Sequence, residues 1–159
     1  VPIPVIKPHA NLMESGGCTY MYEPTPFSPG HIERRFVVPP SGATWATLTL
    51  EARPTKRARE LAAPCVFMVH TTQLLPSTSV KYTESSKRVS MGLPKSESEP
   101  PTQWVCSMEV TGGVLMELTV AQFWMSLGET ELSLRVEFHG VSPSASALCL
   151  DGRELFAET

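Results

Sequence analysis

The sequence predicts an all-β chain folded as one β-sandwich or jelly roll. Fifteen prolines separate the apolar runs, and turn signals recur about every ten residues, which is typical of many short strands. The 159 residues are 42% hydrophobic and 18% charged, which suits one globular domain with its own core. The predicted sandwich covers residues 11–150. Residues 151–159 are predicted to be a tail or a linker to a following module.

The individual strands are assigned from alternation and from β-branched and aromatic content. Residues 31–38, "HIERRFVV", favour a strand although neither face is cleanly apolar. Residues 43–52, "ATWATLTLEA", alternate better, because Ala46, Leu48 and Leu50 share one face. Further strands are predicted for residues 65–75, 103–110, 114–123, 132–141 and 146–150.

Glycine pairs and polar composition mark the connections. Gly112-Gly113 lies between two strand patterns and predicts a tight hairpin turn. A second hairpin is predicted to turn at Gly128-Glu129. Residues 83–103 are rich in Ser, Glu, Lys and Pro and contain few large apolar side chains. Burial of so few apolar side chains cannot offset the conformational entropy that the segment would lose on ordering. We therefore predict a long mobile surface loop there.

Charge and hydropathy argue against nucleic acid and membrane as partners. The net charge is -3, whereas proteins that track phosphates usually carry a basic excess. No apolar run approaches the roughly 20 residues of a membrane span. The start, "VPIPVIKPHA", has neither the parts of a signal peptide nor an initiator Met. We therefore expect an excised or processed piece of something larger.

The cysteines indicate a reducing compartment. They are widely spaced and form none of the short-range pairs that zinc sites use. A chain of this length can fold without disulfides, so we interpret the cysteines as reduced, mostly small core residues of a cytoplasmic protein. They are Cys18, Cys65, Cys106 and Cys149.

No catalytic constellation is evident. The G-x-S-x-G nucleophile elbow is absent, and so is the Gly-Thr-Ser context of subtilisin-like nucleophiles. No histidine pair has metal-ligand spacing and no glycine pair has a phosphate-loop frame, so we expect no metal and no cofactor. The chain itself is therefore predicted not to be an enzyme. The possible bases, interpreted mainly as structural histidines, are His9, His31, His70 and His139.

Ligand binding through exposed aromatic side chains is an open alternative. A stand-alone jelly roll that binds carbohydrate or peptide would present tryptophans beside polar groups. Trp104 and Trp124 are the leading candidates for that role, with Trp45 as a third. The competing interpretation is that these tryptophans are core or strand-edge anchors.

Several uncommon motifs occur together in a fixed order. They are "PGHIERR" at 29–35, "GATW" at 42–45, Gly112-Gly113, "AQFW" at 121–124 and "FHGV" at 138–141. In this order they resemble the non-catalytic region of the tripeptidyl-peptidase II family, over roughly residues 1–141. The segment at 83–103 looks longer or divergent by comparison.

The resemblance implies a galactose-binding-like β-sandwich that follows the protease domain of a giant subtilisin-like serine exopeptidase. It also implies that residues 1–10 are a linker or strand leaving a preceding module. The family works in the cytosol, removes tripeptides from free N-termini and assembles into large oligomers. Its catalytic triad would lie outside this chain, so the implied partners are other modules of the same chain and other subunits. Peptide substrate would be met only through the parent's catalytic domain. The fold name does not itself imply sugar binding.

Two adjacent arginines lie within the strand predicted at residues 31–38. In a strand, Arg34 and Arg35 point to opposite faces. One can reach solvent or a module interface, and the other needs a carboxylate, because an unpaired buried charge is costly. The candidate carboxylates are Glu33, Glu51, Glu117 and Glu137.

We predict that this motif docks the module onto a neighbouring module, with Trp45 packing beside it. An ordinary strand with an exposed salt bridge stays open as the alternative. The predicted structural or inter-module contact residues are His31, Arg34, Arg35, Trp45, Trp124 and His139.

Overall fold

Two β-sheets form a sandwich in the computed structural model, which describes residues 6–55, 64–75, 82–92, 94, 96 and 98–140. One sheet has five strands in the order β1-β3-β8-β5-β6, and the other has four in the order β2-β9-β4-β7. The predicted all-β sandwich is confirmed. The elements are β1 Ala10–Asn11, α1 Leu12–Ser15, β2 Thr19–Phe27, β3 Ile32–Val38, β4 Trp45–Pro54, β5 Cys65–Leu74, β6 Tyr82–Met91, β7 Thr102–Glu109, β8 Met116–Gln122 and β9 Thr130–His139. The strand predicted at 146–150 and the tail at 151–159 lie outside the described residues.

The core lies between the two sheets and is built from alternating strand positions. On β4, Ala46, Leu48 and Leu50 are fully buried, as the alternation predicts. On β9, Leu132, Leu134, Val136 and Phe138 face the same interior. Fully burying a large aliphatic or aromatic side chain contributes about 1.5–3 kcal/mol, so these two central strands carry much of the stability.

β2 occupies an edge of the four-stranded sheet. Among the described strands it pairs only with β9, in antiparallel orientation, and its register shifts between Tyr22 and Thr25. Pro24 and Pro26 lie at and just beyond this irregularity. Proline is tolerated at such positions because an edge strand leaves some backbone groups unpaired.

The loop predicted over residues 83–103 is wrong for its first half. Residues 83–91 belong to β6, which pairs antiparallel with β5 along its whole length. Only one face of this edge strand contacts the core, so Val89 and Met91, each 2% exposed, supply enough apolar contact. The polar side chains that suggested a loop occupy the solvent face. Of the predicted loop, the described residues that lie outside the strands are 92, 94, 96 and 98–101.

Both predicted hairpins are also wrong. β7 and β8 flank the Gly112-Gly113 turn but belong to different sheets, and so do β8 and β9 on either side of Gly128. Each turn therefore carries the chain across the sandwich. A glycine pair predicts a tight turn of the backbone, and Gly113 does have a φ of 73°. The glycine pair does not predict which strands pair with each other.

A buried amide holds the Gly112-Gly113 turn in place. Gln73 is 2% exposed. Its Nε2 donates to the carbonyls of Thr111 at 2.9 Å and Val114 at 2.8 Å, and its Oε1 accepts from the Thr111 N–H at 2.8 Å. One side chain thus satisfies three backbone groups that would otherwise be left without partners inside the protein.

Replacing this amide should destabilise the domain. For Gln73→Leu we expect a loss of about 3 kcal/mol in the free energy of unfolding, because each buried group left unpaired costs about 1–3 kcal/mol. Urea denaturation followed by tryptophan fluorescence measures the loss. The matched control is Gln103→Leu, since Gln103 is exposed and its Nε2 donates to the Glu51 carboxylate at 2.6 Å. Equal stability for the two variants would contradict the prediction.

Candidate functional site

The six predicted contact residues do not form one site. Arg34 lies on the outer face of the five-stranded sheet, whereas Arg35 and His31 face the interior at the edge of the sandwich. Trp45 and His139 lie on the outer face of the four-stranded sheet. Trp124 lies in the connection between β8 and β9. The structure therefore brings together two pairs and leaves Arg34 and Trp124 apart.

Arg34 forms a surface ion pair across the sheet. Its Nε lies 2.8 Å from Glu117 Oε1, and the Thr119 hydroxyl donates to the same oxygen at 3.2 Å. The hydrogen bond from Arg34 lowers the pKa of Glu117, against the opposing effect of partial burial. His70 and Glu84 form a second pair on this face, with 2.8 Å between Nε2 and Oε1. The middle of the outer face is therefore polar.

The Arg34–Glu117 pair predicts a measurable pH effect. Because the Glu117 pKa is lower in the folded state, the pair stabilises the fold above the unfolded-state pKa. That contribution is lost as the pH falls through the folded-state pKa. In Arg34→Gln we expect the Glu117 pKa to rise towards its ordinary value and the loss of stability on acidification to become shallower. Carboxyl-detected NMR titration and urea midpoints between about pH 3 and pH 6 measure both effects.

The control for this titration uses another exposed pair. Arg135 lies 3.6 Å from Glu137 on the other sheet. Arg135→Gln should leave the Glu117 titration unchanged. An unshifted Glu117 pKa in Arg34→Gln would show that the hydrogen bond is not its cause.

Arg35 is paired within the sandwich edge. Its guanidinium lies 2.7 Å from Glu33 Oε1, and its Cζ is 4.4 Å from the centre of the Tyr22 ring. His31 Nε2 lies 3.5 Å from Glu33 Oε2, and the His31 ring packs edge-on against Phe27 at 4.7 Å. Since Tyr22 and Phe27 belong to β2 and the others lie on or beside β3, this cluster links the two sheets. Glu33 and Glu117 were both among the carboxylates considered from the sequence.

Trp45 and His139 form the second pair. Their rings stack with centroids 4.1 Å apart and planes 25° apart, and Thr47 Oγ1 lies 3.1 Å from His139 Nε2. The prediction that Trp45 packs beside the arginine motif is wrong, because Trp45 starts β4 in the other sheet. Trp45 keeps 45% of its surface exposed, so it is a strand-edge anchor with an open face.

Next to this stack, glycines allow a close approach between chain segments. We call residues 40–43, Gly112 and Gly140 the glycine junction. The Gly112 N–H donates to the Ala43 carbonyl at 2.9 Å, and the Thr44 N–H donates to the His139 carbonyl at 2.9 Å. A β-carbon at Gly112 or Gly140 would collide with the backbone of residues 40–43. Residues 42–45, 112–113 and 138–140, which belong to three of the sequence motifs, thus meet in space, and the sequence did not predict this.

The remaining tryptophans occupy opposite environments. Trp104 belongs to β7 and packs partly buried against the core. Trp124 is 71% exposed.

Among the cysteines, Cys65 is buried and Cys106 is partly buried. Cys18 is exposed, so the core position predicted for it is wrong. Cys149 lies outside the described residues.

Two of the surface concavities among the described residues lie on the outer faces of the sheets. One, of about 530 Å³, lies on the outer face of the four-stranded sheet beside Met21, Thr49 and Arg135. The other, of about 400 Å³, lies beside Phe36 and Leu74. No tryptophan of the described part of the chain lines either one.

Within the described part of the chain, no group of three or more His, Cys, Asp or Glu side chains could hold a metal ion. No helix in that part is long and apolar enough to cross a membrane.

The chain is similar to known proteins along most of its length. Residues 27–128 match the family described as TPPII, galactose-binding domain-like. Tripeptidyl-peptidase 2 of Drosophila melanogaster is 33% identical over 149 residues, which cover 89% of this chain and 10% of that protein. Tripeptidyl-peptidase 2 of Oryza sativa subsp. japonica is 34% identical over 158 residues, covering 97% of this chain and 10% of that protein.

The fold is similar to part of a solved structure. A crystal structure of tripeptidyl peptidase 2 (TPP II) superimposes with a TM-score of 0.66 and 28% identity, covering 88% of this chain and 11% of that one. The chain thus spans about a tenth of the length of the relatives it matches.

Proposed function

The chain belongs to the TPPII galactose-binding domain-like family, and from this premise we propose that it is a non-catalytic structural module of a much larger serine peptidase. The observation that carries the proposal is the alignment of most of this chain with about a tenth of tripeptidyl-peptidase 2 chains. A segment that aligns with so small a part of a peptidase is a module of it, and the catalytic residues lie elsewhere in the polypeptide.

The names of the same relatives support a proposal for the activity of the parent. In this proposal it is a subtilisin-like tripeptidyl-peptidase that works in the cytoplasm and removes tripeptides from the N-termini of peptides. Peptide substrates meet only the catalytic domain. The partners of this module are other modules of the same chain and other subunits of a homo-oligomer.

The structure supports a bracing role. The core lies between two sheets, and the glycine junction joins residues 40–43 and Gly112 to Gly140 at the end of β9. Such a body can hold neighbouring modules at fixed distances. The predicted inter-module contacts include side chains on both outer faces, with Arg34 on one sheet and Trp45 with His139 on the other. A module contacted from two sides suits a position between other parts of an assembly.

Stand-alone binding of carbohydrate or peptide is less well supported. It requires Trp104 or Trp124 beside polar groups in a concavity. Trp104 packs inwards, and Trp124 lines neither of the two concavities described above. We therefore propose no second function.

The first test is the mass and activity of the natural polypeptide. An antibody against residues 31–45 should precipitate a chain far larger than 17.4 kDa. Peptide mapping should find a subtilisin-type Asp, His and Ser upstream, and the precipitate should hydrolyse a chromogenic tripeptide substrate. A recombinant 159-residue chain should show no turnover. A natural chain near 17.4 kDa, or turnover by the recombinant chain, would overturn the proposal.

A further inference from the structure

An apolar row crosses the outer face of the five-stranded sheet near one end. Ile32 on β3 pairs with Ala121 on β8, and Ala121 pairs with Met68 on β5. Directly paired residues on neighbouring strands place their side chains on the same face, within contact distance. Ile32 is 61% exposed, although the strand positions around it carry charged side chains.

The connection after β8 continues this row. The Phe123 N–H donates to the Val66 carbonyl at 2.8 Å, which keeps the start of the connection beside β5. The next residues then project Trp124, Met125 and Leu127 into solvent with exposures of 71%, 65% and 55%. We call Ile32, Trp124, Met125 and Leu127 the Trp124 surface.

Buried polar groups hold this connection from beneath. Gln122 is 1% exposed and Ser126 is 3% exposed. Gln122 Nε2 donates to the Gly128 carbonyl at 2.9 Å and to the Ser126 carbonyl at 3.3 Å, and the Ser126 hydroxyl accepts from the Val66 N–H at 3.0 Å. The exposure of Trp124 and Met125 therefore belongs to a braced loop. A preformed surface loses little conformational freedom when a partner covers it.

The surroundings of the Trp124 surface are polar. Arg88 lies over the Phe123 ring at 4.9 Å, and the next two rows along the sheet hold the Arg34–Glu117 and His70–Glu84 pairs. An apolar centre that contains Trp and Met within a charged rim is the anatomy of a protein–protein interface. Soluble proteins rarely leave such apolar side chains clustered in water without a partner.

We propose that the Trp124 surface is the docking site for an apolar patch on a neighbouring domain of the same long polypeptide. This inference rests on the proposed function. The relatives carry about nine-tenths of their length outside the aligned segment, so other domains are tethered close by. A tethered domain is present at an effective concentration in the millimolar range, which favours it over a second copy of the protein.

Methionine oxidation in the intact natural polypeptide tests this without any substitution. Met125 is 65% exposed, whereas Met91 and Met116 are 2% and 1% exposed. The same polypeptide unfolded in urea serves as the reference for a fully accessible Met125. After brief hydroxyl-radical exposure, peptide mass spectrometry should find Met125 of the folded polypeptide oxidised at least tenfold more slowly than in the unfolded reference and close to the rates of Met91 and Met116. A Met125 rate equal to that of the unfolded reference, with Met91 and Met116 protected, would overturn the proposal.

Dilution separates the two possible occupants. The exposure is repeated where mass photometry finds only single polypeptides. Protection of Met125 that persists there identifies a domain of the same chain. Protection that disappears identifies a second copy and overturns the assignment made here.

A matched pair of variants tests the extent of the surface. Ile32 and Val105 are 61% and 55% exposed, on different sheets. In the intact polypeptide, Ile32→Ser should raise the Met125 oxidation rate at least threefold, and Val105→Ser should leave it unchanged. An unchanged rate in both variants would overturn the surface as defined.

The proposed function and this inference fail in different ways. A natural chain near 17.4 kDa ends both. A long natural chain with peptidase activity and a freely oxidised Met125 ends only the inference.

Discussion

A fragment limited to residues 28–129 is expected not to fold, although it contains most of the segment that identifies the family. It lacks β2 and β9, and β9 lies between β2 and β4 in the four-stranded sheet. Without them that sheet is reduced to β4 and β7. An isolated pair of strands is marginal in water at best.

The lost core explains the size of the effect. The deletion removes the buried side chains of Phe27, Leu132, Leu134, Val136 and Phe138. At about 1.5–3 kcal/mol for each large apolar side chain, their combined contribution reaches the 5–15 kcal/mol by which whole domains are stable. Ala46, Leu48 and Leu50 would also lose their neighbours on β9.

The measurement is thermal unfolding by circular dichroism together with a ¹H–¹⁵N correlation spectrum. The fragment should show no cooperative transition and poorly dispersed amide signals, and the 159-residue chain serves as its reference. A cooperative transition in the fragment would mean that β9 is dispensable and that the order of the four-stranded sheet is wrong.

The second large effect concerns one added methyl group at the glycine junction. A β-carbon at Gly112 would lie 2.5 Å from the Pro40 carbonyl oxygen, 2.8 Å from the Gly42 nitrogen and 2.9 Å from the Ala43 nitrogen. These are backbone atoms, so relief requires the loop itself to move. For Gly112→Ala we expect a loss of about 3 kcal/mol, at the upper end of the usual cost of overpacking. Gly140→Ala should behave similarly, because its added carbon meets Gly42 and Ala43.

Gly92→Ala is the control for the junction. A β-carbon there meets nothing within 4 Å. Where the backbone conformation permits it, replacing Gly by Ala stabilises a protein by about 0.4–1 kcal/mol, because it restricts the unfolded chain. The two substitutions should therefore change the free energy of unfolding in opposite directions in urea titrations. Gly112→Ala at wild-type stability would show that the backbone at Gly112 does not touch residues 40–43.

These outcomes show what a local sequence pattern can and cannot predict. β4 was assigned correctly because Ala46, Leu48 and Leu50 recur with period two, and that period is a property of the strand alone. β6 was missed because an edge strand contacts the core on one face only. Two apolar side chains, Val89 and Met91, supply that contact, so the segment has a mostly polar composition. The hairpins were wrong because pairing is decided by residues far away in the chain, such as those of β4 and β9.

The candidate site divides in the same way. The opposite directions of Arg34 and Arg35 follow from strand geometry, and two of the carboxylates considered, Glu117 and Glu33, are their partners. The stack of Trp45 on His139 requires the register between β4 and β9, which no local pattern contains. The spacing of the glycine motifs along the sequence did not predict that they meet in space. The presence of glycine in three separate motifs was the one feature of the sequence that could have indicated such close packing.

The pairing of β2 with β9 has a consequence for synthesis on the ribosome. Thr19 pairs with Glu137, so an early strand has no partner until nearly the whole sandwich has been translated. Throughout that interval β2 presents an unpaired edge to other nascent chains, a state in which partly folded proteins aggregate. Pro24 and Pro26 remove two amide donors from β2, and proline on an exposed edge discourages pairing with foreign strands. During translation, Pro24 and Pro26 are therefore expected to reduce pairing of β2 with strands of other chains.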